Sequence, residues 1–95
     1  MNSHTLEGFR KSKTKLKKYD GLLKDNQGRI VAVPFGAMRK DGIPYQQYKD
    51  RTGLGLYSAF DHGDKDRRNR YHARHKKDAQ PGMFSPGWFA LHFLW

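Results

Sequence analysis

The sequence predicts a small single α+β domain with an N-terminal β-hairpin, a loop-rich middle and two short C-terminal helices, preceded by a basic arm. Three observations carry this. A run containing Ile30, Val31 and Val33 follows a turn-forming Asp25-Asn26-Gln27-Gly28, and β-branched residues after such a turn favour a hairpin. A charged segment free of Gly and Pro extends from Asp64 to Lys77, as a helix requires. Ser85-Pro86 then opens an aromatic run to Trp95, a cap residue followed by the one residue that lacks the N–H a first turn leaves unused.

Taken in order, residues 1–15 read as a flexible basic arm and residues 16–95 as the domain. Arg10, Lys11, Lys13, Lys15, Lys17 and Lys18 crowd one stretch with no continuous apolar face, which points to ordering on an acidic partner. The hairpin pairs a run around Tyr19 to Leu23 with Arg29 to Phe35, and Pro34 marks a strand end or edge because it cannot donate to a ladder. Between Gly36 and Gly63, glycines alternate with Tyr45, Tyr48, Leu54, Leu56, Tyr57 and Phe60, a texture of loops anchored by rings. Leu54 to Phe60 suits either a helical turn or a short strand.

The next helix is expected near Asp66 to Lys77. Asp64 is placed to cap it, acids stand at its front and bases at its back, as the helix dipole favours. Its apolar content is thin, so Tyr71 and the arginine stems must anchor it. In the last helix Trp88, Leu91 and Trp95 share one face with Phe89 and Phe93 beside it. That helix is either the keystone of the core or a docking element for a partner. The expected core comprises Ile30, Val31, Val33, Phe35, Leu56, Tyr57, Phe60, Tyr71, Trp88, Phe89, Leu91 and Trp95.

Composition narrows the function. The chain has 95 residues, 19 Lys and Arg against 9 Asp and Glu, and no cysteine. Disulfides, thiol catalysis and thiolate metal sites are therefore excluded. Apolar residues make up 36%, below the roughly 45–50% of a typical domain, which argues against a deep enclosed catalytic cleft. The net charge of +10 points to polyanions or acidic protein surfaces. No apolar run is long enough to span a bilayer, and Met1 to Lys18 offers no signal-peptide core.

The cluster His62, Asp64, Asp66, His72 and His75 invites a metal reading, yet arginines flank the i, i+3 histidine pair and repel a cation. Gly53-Leu54-Gly55 lacks the lysine and helix of a phosphate loop. No cofactor, small-molecule substrate or catalytic residue is expected. The binding residues are expected to be Arg10, Lys11, Lys13, Lys15, Lys17, Lys18, Arg67, Arg68, Arg70, Arg74, Lys76 and Lys77, with Tyr71, Trp88, Phe89, Leu91, Phe93 and Trp95 as the apolar docking or core set. A bland alternative for the helical arginines is internal pairing with Asp61, Asp64, Asp66 or Asp78.

Phe35-Gly36, His62-Gly63-Asp64, Arg68 with Tyr71, Arg74 and His75, and Gly87-Trp88-Phe89 running to Leu94-Trp95 follow one another in a fixed order. In this the chain, from Leu16 to Trp95, resembles a family of short uncharacterised basic proteins encoded by large DNA viruses and phages. It departs from the family by its basic arm and by a longer glycine-rich stretch between Gly36 and His62. The resemblance implies a viral origin. With the charge, it leads to the expectation of a non-enzymatic minor capsid or virion component bound to larger capsid protein subunits, located in the virion and not secreted. The alternative is a sequence-independent nucleic-acid-binding protein on viral DNA.

Overall fold

A computed structural model describes residues 4–80 and 82–95, excluding the side chains of 78 and 79. It shows a three-stranded antiparallel sheet of β1 (Thr5–Lys11), β2 (Lys17–Lys24) and β3 (Ile30–Ala37) in the order β1-β2-β3. A 3-10 turn at Ser58–Phe60 precedes α1 (Lys65–His75), a second 3-10 turn covers Lys76–Ala79, and α2 (Pro86–Phe93) closes the chain. The α+β class expected from the sequence is the class observed.

The β2–β3 hairpin forms for the expected reasons. Asp25 Oδ1 accepts from the backbone N–H groups of Gln27 and Arg29, both at 2.9 Å, and Gly28 supplies a φ of 81°. Such side-chain-to-backbone bonds close a turn that larger residues would strain. Tyr19 then faces Phe35, and Gly21 faces Val33.

The first correction concerns the arm. Thr5–Lys11 is not a flexible extension but an edge strand, paired from Thr5 opposite Lys24 to Lys11 opposite Tyr19. Leu6 and Phe9 are three residues apart, a spacing that places them on opposite faces of a regular strand. A bulge between Leu6 and Gly8 changes that, setting Leu6 opposite Leu23 and Phe9 opposite Gly21, two partners on one face of β2. The inserted residue thus turns both apolar side chains inward. Phe9 meets Phe93, Phe35 and Phe89 edge-on, with ring centroids at 4.7, 5.9 and 5.9 Å. Arg10 Nε and Ser12 Oγ donate to the buried Asp20 carboxylate at 3.0 and 2.6 Å, so Arg10 is committed to the sheet.

Tyr19, Leu23, Val33, Phe35, Tyr57, Phe84, Phe89 and Leu94 form the core. α2 begins where expected, with Ser85 Oγ accepting from the N–H of Trp88 at 3.2 Å and Pro86 in its first turn. It lies on the sheet so that Phe89 stacks on Phe35 at 5.0 Å and presses against Gly21. Its last carbonyls do not end in solvent. The N–H groups of Tyr48 and Lys49 donate to Leu94 O and that of Arg51 to Phe93 O, satisfying the acceptors that a helix end exposes.

Three expected core residues lie outside it. Ile30 is 56% exposed because it pairs with Lys24 at the turn end of the hairpin, Leu56 is 54% exposed because its neighbour Tyr57 takes the inward position, and Tyr71 is half-buried on α1, which lies outside the core. In the α2 set Phe89 and Leu91 are buried, and Trp88, Phe93 and Trp95 are half-buried and packed against the core, so the helix is a keystone of the packing. Among the described residues, no helix is long and apolar enough to cross a membrane.

Candidate anion-binding cleft

α1 starts at Asp64, whose carboxylate accepts from the N–H groups of Asp66 and Arg67 at 2.9 and 3.2 Å. No residue of α1 is buried. What anchors the helix is an aromatic stack: Tyr71 lies parallel to Trp95, with centroids 4.0 Å apart and planes 3° from parallel, while His75 covers Tyr71 at 4.2 Å. Arg68 Nε donates to the Trp95 carbonyl at 2.8 Å, and its guanidinium lies 5.3 Å from the Tyr48 ring centroid. Arg68 is therefore a brace between α1, the middle loop and the end of α2.

The middle segment is held by a buried polar network. Lys18 Nζ donates to Tyr45 O at 2.7 Å and to Gln47 Oε1 at 2.8 Å, and Gln47 Nε2 donates to Asp61 Oδ1 at 2.7 Å and Tyr57 O at 3.1 Å. The Tyr19 hydroxyl donates to Asp50 and accepts from the N–H of Leu56. Burial lowers the Lys18 ammonium from 10.5 to about 8, against the opposing pull of Asp50 and Asp61. Burial, with the bond to Asp50, raises Tyr19 from 10.0 to about 12. Lys18 was expected on a polyanion-binding surface and is instead buried in this network, because the loop from Tyr45 folds over it.

With the middle loop fixed on one side and α1 and α2 on the other, a cleft of about 1050 Å³ opens between them. Lys17, Arg39, Arg67, Arg74 and His75 line it beside Ile43, Tyr45, Phe35, Ala90, Leu94 and Trp95, and among the described residues no Asp or Glu does. Arg67 Nη1 donates to Gln46 Oε1 at 3.0 Å, and Arg39 meets Asp41 at 3.1 Å. Among the described residues, Lys17, Arg67 and Arg74 have no carboxylate within ion-pair distance. The helical arginines do not pair with Asp61, Asp64 or Asp66, while the side chain of Asp78 lies outside the described residues. Of Lys17, Arg39, Arg67 and Arg74, only Arg39 has a carboxylate partner among the described residues, and such a cluster of bases creates a field that attracts anions.

Of the expected binding residues, the fold gathers Lys17, Arg67, Arg74 and the apolar Tyr71 and Trp95 at this cleft. Lys11, Lys13 and Lys15 are exposed in and beside the turn that joins β1 to β2, and Arg70, Lys76 and Lys77 are exposed on α1 and the turn after it. Sequence reasoning missed Arg39, Ile43 and Gln46. The glycine-proline punctuation from Gly42 to Pro44 marked their loop without indicating what it faces.

The histidine and acid cluster does not assemble. Among the described residues, no three His, Asp or Glu converge as metal ligands would. His62 Nδ1 accepts from the N–H of Asp64 at 2.9 Å, and its ring packs 5.1 Å from Trp95. Burial and the nearby Arg67 hold its pKa below the ordinary imidazole value. Comparison with protein-family models, with curated proteins and with solved structures yields no match.

Proposed function

We propose that the protein is a non-enzymatic structural component of a virus particle that holds to a larger, acidic capsid subunit through the cleft between its middle loop and its two helices. The observation that carries this is the acid-free lining of that cleft, where Lys17, Arg67 and Arg74 have no carboxylate partner among the described residues. The resemblance of the chain from Leu16 to Trp95 to short basic viral proteins supplies the setting.

A sequence-independent nucleic-acid-binding role is the second reading, favoured by the exposed Lys11, Lys13, Lys15, Lys76 and Lys77 outside the cleft. The two part in one experiment. Particles of the encoding virus are opened, digested with nuclease and separated into shell and released fractions. The shell reading expects the protein to sediment with the capsid subunit after the genome is gone. Release together with the digested DNA, or absence from purified particles, would overturn it.

A further inference from the structure

The cleft has two kinds of surface, and their arrangement says more about its occupant than charge alone. Its floor is apolar: Phe35 and Leu94 are each 1% exposed, and Gly36, Gly87 and Ala90 beside them carry little or no side chain. Gly36 has a φ of 83°, and a Cβ there would stand 2.9 Å from Lys18 Cβ and 3.1 Å from Leu94 Cδ1, so close packing at the floor requires the small residue. The rim is basic and partly apolar, with Arg39 and Arg74 exposed next to Ile43 at 47% and Tyr45 at 53%.

A nucleic-acid strand would use such a site by stacking bases on ring faces. Here most of the ring surface is already taken, Tyr45 at the rim being the exception at 53% exposed. Tyr71 is covered by Trp95 on one side and stacked with His75, and Trp95 has His62 at 5.1 Å. What remains is an aliphatic and small-residue floor between cations, which is complementary to an apolar side chain flanked by carboxylates. Interfaces that seat one apolar anchor in a desolvated pocket inside a charged rim follow this plan.

We infer that the cleft receives an extended acidic segment of a partner protein, seating one leucine or phenyl side chain on the Phe35–Ala90–Leu94 floor while flanking carboxylates pair with Arg39, Arg67 and Arg74. This rests on the shell-binding reading and specifies the partner's chemistry. Lys17 adds a fourth cation along the β2 wall. Tyr45 and Ile43, the exposed apolar residues of the rim, cover the anchor from the solvent side.

The test is fluorescence anisotropy with three labelled probes on the full chain at one fixed salt concentration: an Asp/Glu peptide with a central leucine, the same peptide with serine in its place, and an oligo-thymidylate of similar charge. The leucine peptide is expected to bind about tenfold or more tighter than the serine peptide, the effect of burying one aliphatic side chain. Ala90→Leu, which fills the floor, should remove that preference. The surface variant Arg39→Glu/Arg74→Glu, which touches no core residue, should weaken both peptides by about tenfold or more. Equal binding of the two peptides would overturn the inference, as would oligo-thymidylate binding more tightly than either and losing that affinity in the same variants. A protein that sediments with shells yet ignores both peptides overturns this inference alone. One that prefers the leucine peptide yet leaves with the genome overturns the shell reading alone.

Discussion

Gly21 lies on the core face of β2 against the Phe89 ring, so an added methyl group has one well-defined obstacle. A Cβ built there meets Phe89 Cζ at 2.5 Å and both Cε atoms at 2.8 Å, whereas carbon atoms in contact sit about 3.5–4.0 Å apart. The ring must retreat by about 1 Å. It is confined by Phe35 at 5.0 Å, Phe9 at 5.9 Å and Phe84 at 5.9 Å. Overpacking of this kind costs about 1–3 kcal/mol, and the entropy removed from the unfolded chain returns about 0.4–1 kcal/mol. Gly21→Ala should therefore destabilise by about 1–2 kcal/mol. Phe89→Leu alone opens space and costs less than the roughly 3–5 kcal/mol of a Phe→Ala change. In that background Gly21→Ala should be neutral or stabilising, a coupling of about 2 kcal/mol within the range for residues in contact. Urea unfolding of the four proteins, followed by fluorescence of Trp88 and Trp95, measures it. An equal cost of Gly21→Ala in both backgrounds would refute the packing of α2 on β2.

Three further outcomes follow from the same structure. Deleting residues 1–11, or replacing Phe9 by Ala, should lower stability by several kcal/mol, because Phe9 contacts three core rings and Phe→Ala in a core costs about 3–5 kcal/mol; unchanged melting would restore the arm. Ser85→Ala should cost about 0.5–2 kcal/mol by removing the cap on Trp88, read as a shift in the urea midpoint at constant slope. Stability should also vary with pH in a set sense. Between about 8 and 10.5 the unfolded chain keeps a Lys18 proton that the folded chain has released, so stability rises with pH through that window. Tyr19 does the reverse, holding its proton up to about 12 against an ordinary 10.0, so stability is lost as pH climbs from 10 to 12. A maximum near pH 10 is expected, and Lys18→Met should abolish the rise; a flat profile in the parent protein would contradict the buried network.

Much of the fold was legible because local chemistry decides it. Asp25 and Gly28 close the hairpin, Asp64 caps α1, and Ser85-Pro86 starts α2, each through bonds formed within a few residues. Reading failed where the deciding contact is distant. β1 escaped because its bulge breaks the period of two that identifies a strand, and Leu6 and Phe9 share a face only through that irregularity. Lys18 read as surface charge because nothing near it in sequence shows that Tyr45 and Gln47, 27 and 29 residues away, come to cover it. Ile30 and Leu56 read as core because hydrophobicity does not say which end of a hairpin a helix reaches. The cleft was partly legible: the arginines of α1 were evident, but Arg39 and the Ile43–Tyr45 rim join them only after the chain has turned back between β3 and α1.

The most direct test is to build the Arg39→Glu/Arg74→Glu variant into virus particles beside the parent protein. Both residues are exposed, so the variant should unfold within about 0.5 kcal/mol of the parent, as surface changes do. With the fold intact, its amount in the nuclease-treated shell fraction is expected to fall about tenfold or more. Incorporation equal to that of the parent would contradict a role for the basic cleft in holding the protein to the shell.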